Sequence, residues 1–318
     1  MKASVIITDY KRKKYILDAL KSIKNQKGID LNDIEVIVVK YYQDEKIDNY
    51  IKENFPNYKI INLDPNGPDR YNGHAYAEGI NAASNNLIFL LDDDDMFTEN
   101  KMSRIFEIAR KIKNYDEYLI VHKLIPIDAN GNIIRENKNI IRKILDKISY
   151  IVPFNSSCMV LHIKNKSNLI DYLMNIQFHV DVALIFYFKA RGSYIELDDK
   201  LTYYRKHNEN VLSRFNKSIL EMSVNIFQYI YKKLKYPYAL NYALGYKIQL
   251  NLLYGDNYKI KYKDYLYYLL MPDKYFLIRY LKAFPYLFIA RFIQILLYKI
   301  NKNFLRNYYI KKLKIKVI

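Results

Sequence analysis

Leu87-Ile88-Phe89-Leu90-Leu91-Asp92-Asp93-Asp94-Asp95 decides the fold. Five apolar residues run without a polar interruption and then give way to four carboxylates. An unbroken apolar run of this length, bounded by polar residues, reads as a strand covered on both faces, and such strands belong to parallel sheets with helices on either side. Working towards the N-terminus, the spacing predicts a helix over Gly73–Ala83, a turn at Pro65-Asn66-Gly67-Pro68, and strands over Lys59–Leu63, Ile34–Val39 and Val5–Ile7. Ile16, Leu20 and Ile23 recur at helical spacing between the first two strands, and Ile47–Asn54 reads as a short helix after the second. This β-α-β-α order implies an α/β fold with a mostly parallel sheet, whose ligands gather beyond the carboxyl ends of the strands. Met96–Ile112 is expected to be a helix, with Asp95 or Thr98 as its cap.

The aspartates sit where such ligands would gather. Adjacent carboxylates repel one another, and their desolvation is costly unless a cation or hydrogen-bond donors compensate. A divalent cation supplies that compensation. Oxygen ligands suit Mg or Mn, which use one or two carboxylates together with substrate phosphates. If the strand continues, Asp92 and Asp94 share a face and form the natural pair.

Charge divides the 318-residue chain. Its 51 Lys and Arg against 33 Asp and Glu give +18, which on its own points to nucleic acid or an anionic membrane surface. Residues 1–214 carry 32 basic and 29 acidic residues, and residues 215–318 carry 19 and 4. The bias, and 18 of the 34 tyrosines, therefore belong to the C-terminal region, so a domain boundary is expected at 214/215. That region reads as helical, with apolar and aromatic residues broken by Lys and Arg, as in Tyr275–Ile300. It ends on the basic run Lys311-Lys312-Leu313-Lys314-Ile315-Lys316. An interfacial, anionic-membrane-binding region accounts for this pattern; a helical subdomain packing its apolar stripe is the alternative. Met1-Lys2 leads straight into Ala3–Ile7 without the longer apolar run of a secretory signal, and no stretch of about 18 uncharged apolar residues occurs. The expected place is cytoplasmic, peripheral on the cytosolic face of the membrane. One cysteine, Cys158, excludes an internal disulfide and reads as a small buried thiol.

Several ordered pieces of residues 3–214 together resemble the family 2 glycosyltransferases. Ser4-Val5-Ile6-Ile7-Thr8-Asp9-Tyr10-Lys11-Arg12 is similar to the family's opening strand and nucleotide-binding turn, and Ala19–Gln26 to the helix that follows. Glu35–Val39 resembles the second strand, and Asp92-Asp93-Asp94 the D-x-D element. His179-Val180-Asp181 stands where the family has an acidic pair before a helix, and Tyr203-Tyr204-Arg205-Lys206-His207 resembles the closing Y-R-x-H segment. The resemblance implies a GT-A fold and an inverting, metal-dependent hexosyltransferase-type transfer from a nucleotide-diphosphate sugar. A glycan or lipid-linked molecule at the membrane is the expected acceptor.

The same resemblance assigns roles. Asp92 would contact ribose or metal, Asp94 would bind a metal bridging the diphosphate, and Asp93 would lie on the donor side between them. Thr8, Asp9, Tyr10 and Arg12 would surround the nucleobase and ribose, Arg70 would reach donor phosphate or sugar, and Arg205 and His207 would donate to the departing diphosphate. Lys40 occupies the place of a nucleobase-contacting aspartate. Asp181, just before the apolar run Val182–Phe188, would be the base that deprotonates the acceptor hydroxyl. His179 in place of the first acid, together with Lys40, leaves a non-catalytic sugar-nucleotide-binding relative as one alternative. A nucleic-acid-binding protein using the tyrosine-rich C-terminal region is another, but it leaves Asp92–Asp95 and Asp181 without a task. A sugar nucleotidyltransferase lacks its glycine-rich, arginine-containing loop near the first strand.

Overall fold

The structure is a computed structural model that describes residues 1–9, 14–66, 72–134, 154–207, 216–254 and 260–261. The chain divides into two compact units, one of residues 1–135 and 153–206, the other of residues 136–152 and 207–318.

The first unit is built on one eight-stranded sheet in the order β3-β2-β1-β4-β7-β6-β8-β5. Strands β1 (Ala3–Asp9), β2 (Ile34–Lys40), β3 (Asn57–Asn62) and β4 (Leu87–Asp92) form a parallel half. Beyond β4 the sheet becomes mixed. β7 (Met159–Ile163) runs antiparallel to both β4 and β6 (Glu117–Ile127), β6 pairs in parallel with β8 (Tyr194–Arg205), and the two-residue β5 (Met96–Phe97) closes the edge antiparallel to β8.

Helices explain why the central strands are apolar throughout. On one face Val5, Ile7, Val36, Val38, Phe89 and Leu91 share a core with α1 (Ile16–Lys24), α2 (Glu45–Asn54) and α4 (Lys101–Lys111). Ile16, Ala19, Leu20 and Ile23 of α1, and Met102, Ile105, Phe106 and Ala109 of α4, fall at the helical spacing that aims one stripe at the sheet. Each such side chain, fully buried, contributes roughly 1.5–3 kcal/mol. On the opposite face α3 (Asn72–Ala82) lies against Ile6 and Val39, so closely that a Cβ on Gly79 would come within 2.5 Å of Ile6 Cγ2. Gly73, in the first turn of α3, donates its N–H to the Ile176 carbonyl at 3.1 Å, just beyond α5 (Ser167–Leu173).

The helix expected from Met96 begins five residues later. Asp92–Asp95 close a tight turn, with the Asp95 N–H donating to the Asp92 carbonyl at 3.2 Å, and Met96 and Phe97 pair with Tyr203 and Thr202. The chain is thus held extended by the sheet edge until Asn100, where α4 starts. Neither Asp95 nor Thr98 is its cap.

In the second unit, α7 (Lys217–Leu234) and α8 (Pro237–Tyr254) are joined by a two-residue link. Asn216 caps α7 by accepting the Ile219 N–H at 3.0 Å, and Lys235 ends it in a left-handed conformation. Phe227 sits between Tyr242 and Tyr246, with ring centroids 4.9 and 5.7 Å away. No helix among the described residues is long and apolar enough to cross a membrane. Tyr275–Ile300 and the terminal basic run lie outside the described residues.

Candidate active site

The parallel half ends on a row of polar residues. Thr8 stands opposite Asp92, and Asp9 opposite Lys40, at the carboxyl ends of β1, β4 and β2. Asp92 is held at both carboxylate oxygens: Oδ1 accepts from the Tyr76 hydroxyl at 2.6 Å and Oδ2 from the Ser156 hydroxyl at 2.6 Å. Its own N–H donates to Ser157 Oγ at 2.9 Å. Ser156 and Ser157 lie on a single 3-10 turn, Ser156–Cys158, between residue 154 and β7. Tyr76 reaches Asp92 from α3, with its ring buried and its phenol pushed well above the ordinary tyrosine range by burial and by the Asp92 charge.

The rest of the acidic turn is buried. Asp93, Asp94 and Asp95 are all sequestered from solvent. Burial, then the charges of Asp94 and Asp92, raises the Asp95 carboxyl well above its ordinary value. Asp95 accepts the Arg205 backbone N–H at 3.0 Å and the side-chain amide of Asn155.

Asp181 lies in the first turn of α6 (Val180–Lys189), where it accepts the Val182 N–H at 2.8 Å. A helix N-terminus favours the ionised form. Desolvation outweighs that, and with a smaller push from Asp92 it raises Asp181 to about 6. His179, at the N-cap of α6, adopts φ 60°, a left-handed conformation unusual for a residue with a Cβ. Burial lowers its imidazole to about 3, so it is neutral at physiological pH. Tyr204 on β8 connects the two acidic groups: burial, then the charges of Asp95, Asp94, Asp92 and Asp181, raises its phenol.

Two cations expected at the donor are engaged elsewhere. The Arg205 side chain is only 3% exposed. Its guanidinium donates to the carbonyls of Asp94 and Ala129 at 3.0 Å each, pairs with Asp18 of α1 at 3.0 Å and lies over the Tyr15 ring. These contacts fasten the acidic turn to α1, which revises the expectation of Arg205 as a phosphate ligand: its donors are already satisfied inside the protein. Lys40 is fully buried and pairs with Asp48 of α2 at 2.9 Å while donating to the Tyr42 carbonyl at 3.1 Å. At the position read as a nucleobase contact, its ammonium instead ties β2 to α2. Asp9 accepts the Tyr42 hydroxyl. His207 falls in the second unit, and Tyr10, Arg12 and Arg70 lie outside the described residues.

Lys101 belongs to the site and carries no sequence signal that sets it apart. It is fully buried at the start of α4, below the acidic turn, and donates to the Ser157 carbonyl at 2.6 Å and to Thr202 Oγ1 at 3.1 Å. Its ammonium lies 3.7 Å from the centroid of the Phe97 ring. Burial lowers it to about 7 against the raising pull of Cys158 and Asp95. The Cys158 thiol is itself pushed up to about 12 by burial, which makes it inert as a nucleophile.

Among the described residues no three His, Cys, Asp or Glu side chains gather into a cluster able to hold a metal ion by themselves. Asp92 and Asp94 still suit a cation that takes one or two protein carboxylates and completes its shell with phosphate and water. The upward push that Asp94 and Asp92 exert on Asp95 is the charge such a cation would relieve.

A half-parallel sheet whose strands end on a held aspartate turn is an arrangement of the GT-A fold. The model of "Glycosyl transferase family 2" matches residues 4–166, and the chain belongs to that family. It is 25% identical over 228 residues to an uncharacterized glycosyltransferase of Nostoc sp. (strain PCC 7120), an alignment that spans 66% of each chain. It is similar in fold to S. aureus TarS residues 1–349, with a TM-score of 0.51, 16% identity, and coverage of 90% of this chain and 81% of that one. The same TarS fragment in complex with UDP-GlcNAc gives a TM-score of 0.53 at 17% identity, over 85% and 79% of the two chains.

Proposed function

We propose that the protein catalyses inverting transfer of a hexosyl group from a nucleoside-diphosphate sugar to an acceptor hydroxyl. The observation that carries this reading is the pairing of two carboxylates in different conditions. Asp92 is fixed by three hydrogen bonds at the end of β4, and Asp181, close enough to feel its charge, is raised to about 6 by burial.

In this scheme the Asp181 carboxylate takes the proton of the acceptor hydroxyl as that oxygen attacks the anomeric carbon. The bond from that carbon to the diphosphate oxygen breaks, and the nucleoside diphosphate leaves with the electron pair. A base with a value near the working pH is suited to this task. Asp92 orients the ribose or diphosphate, Thr8 and Asp9 line the nucleoside side, and Asp93 and Asp94 border the diphosphate. A divalent cation, Mg or Mn, held by Asp94 and Asp92 would offset the charge of the departing diphosphate. UDP sugars are the first donors to test, because the S. aureus TarS fold is seen in complex with UDP-GlcNAc.

The basic C-terminal region is proposed to hold the enzyme peripherally on an anionic cytosolic membrane face, near a lipid-linked or membrane-proximal glycan acceptor. The excess of 19 basic over 4 acidic residues in 215–318 supports this. Deleting the residues after Tyr268 should abolish co-flotation with anionic liposomes; undiminished flotation would assign the tail to packing instead.

The test of the catalytic reading is a screen of UDP, GDP and dTDP sugars with Mn or Mg, followed by thermal shift and slow donor hydrolysis. One donor class should stabilise the protein, and Asp94→Ala should weaken that effect at least tenfold. Stabilisation by no donor, or an unaltered response in Asp94→Ala, would overturn it.

A further inference from the structure

Asp92 is held by hydroxyls on a turn that is itself held from below. The Ser156 hydroxyl donates to Asp92 Oδ2, and Ser157 Oγ accepts the Asp92 N–H. The Ser157 carbonyl is gripped twice, by Lys101 Nζ at 2.6 Å and by Thr202 Oγ1 at 2.9 Å. Lys101 and Thr202 are also bonded to each other at 3.1 Å. The grip closes a triangle among α4, β8 and the Ser156–Cys158 turn. A buried ammonium is a costly choice for a structural strut, because a methionine of similar length would fill the same space at no desolvation cost. What methionine lacks is the N–H donor that fixes the direction of the Ser157 carbonyl, and with it the facing of both serine hydroxyls.

We propose that Lys101 is a positioning residue for the donor site, acting through the Ser156–Cys158 turn to set the orientation of Asp92. The inference rests on the reading of Asp92 as a donor-binding carboxylate. Other polar groups face Lys101: His122, which is fully buried on β6 and is lowered by that burial and then by the Lys101 charge, and Cys158 and Asp95, which favour that charge. The inference depends on the hydrogen bond that Lys101 donates and holds for either protonation state, since a neutral amine keeps two N–H donors.

The experiment uses the full chain and UDP with Mn as the probe, measuring affinity by calorimetry and integrity by circular dichroism and thermal unfolding. Lys101→Met should bind UDP about tenfold more weakly while remaining folded, and Lys101→Gln, which retains an N–H donor, should recover part of that loss. Once Asp92→Asn is present, adding Lys101→Met should change affinity by less than twofold, because both act through one carboxylate. A merely structural lysine would lower the unfolding temperature and leave UDP affinity of the folded fraction unchanged; that result overturns the proposal. If Lys101→Met fails to fold, Thr202→Val takes its place, since it removes the hydroxyl shared by Lys101 and the Ser157 carbonyl. A three- to fivefold loss of UDP affinity is then expected, and wild-type affinity would overturn the proposal. If wild-type protein binds none of UDP, GDP or dTDP with either metal, the donor-site reading fails and this inference falls with it. Normal wild-type binding that Asp92→Asn weakens and Lys101→Met does not would remove Lys101 alone.

Discussion

Glu35 near the amino end of the parallel half and the acidic groups about its carboxyl end, Asp95 and Asp181, are in opposite electrostatic condition. At the amino end, Glu35 of β2 accepts from Ser4 Oγ at 2.6 Å and from the Ser84 N–H and hydroxyl at 2.8 Å each, and pairs with Lys59 at 2.8 Å. Burial pushes its carboxyl up, yet these partners outweigh that and hold it at about 2. At the carboxyl end, Asp95 and Asp181 are raised, Asp181 to about 6. Burial pushes the carboxyls up at both ends, most heavily at Asp95 and Asp181, and the partners present decide the outcome. At the amino end a lysine and three hydrogen bonds complete the carboxylate. At the carboxyl end the nearby cations, Arg205 and Lys101, are directed mainly at carbonyl groups, and the neighbouring charges are carboxylates. One end spends its carboxylate on stability; the other keeps carboxylates that gain from an incoming cation or proton.

That contrast can be broken by mutation. The largest effect is expected at Asp181: Asp181→Asn should lower turnover about 100- to 10,000-fold, the range of a lost general base, while leaving UDP affinity intact. Because its folded value lies above the ordinary 3.8, ionising Asp181 costs stability as pH rises through about 6. Asp181→Asn should therefore unfold at a slightly higher temperature than wild type at pH 8, an outcome that thermal unfolding can check. Glu35 should behave oppositely. Its folded value lies below the ordinary 4.5, so its stabilisation is complete above about pH 5 and is lost as pH falls through 4.5 towards 2. Glu35→Gln should cost about 2–3 kcal/mol in denaturant unfolding at pH 7, consistent with a shift of this size, and leave UDP affinity unchanged. A change in UDP affinity there would erase the division between the two ends.

Smaller effects sharpen the picture at the carboxyl end. Tyr76→Phe keeps the ring in place and removes one hydroxyl from Asp92, so UDP affinity should fall up to about tenfold, in line with a hydrogen bond to a charged group. The mildest is the pH profile: log kcat/KM should rise with unit slope to an acid-limb pKa near 6 and flatten above it, and Asp181→Asn should abolish that limb. A limb near 4 would mean that the titrating base is more exposed than Asp181.

The parallel half was legible because burial on two faces leaves a mark in one dimension: Leu87–Leu91 and Ile34–Val39 read as strands from their apolar runs alone. β6 and β8 leave a weaker mark. Glu117–Ile127 includes Lys123 and Pro126, and is broken by register shifts around His122, while Tyr194–Arg205 includes Glu196, Asp198, Asp199 and Lys200 on a partly exposed edge. The aspartate turn stood out because consecutive carboxylates after an apolar run are unusual, whereas Asp181 stood out mostly through the family resemblance. Lys101 and Tyr76 did not, since a lysine opening an amphipathic helix and a tyrosine within one read as ordinary surface and core; their partners are 56 and 16 residues away. Arg205 was noticed through the resemblance of Tyr203–His207 to the family's closing segment, but its partners on α1 and the acidic turn exist only once the sheet has formed.

The close approach at Gly73 sets a distance in the site. A Cβ there would lie 2.1 Å from the Ile176 carbonyl oxygen and 2.4 Å from that of Leu173, so even alanine would force α3 away from the end of α5. Tyr76 lies one turn along α3 from Gly73, and the chain leaves Ile176 to reach Asp181 five residues later. Gly73 is thus a spacer of zero thickness between the helix whose Tyr76 holds Asp92 and the segment that leads to Asp181. Thickening it by one methyl group would displace Tyr76 and loosen its hold on Asp92 without altering either side chain.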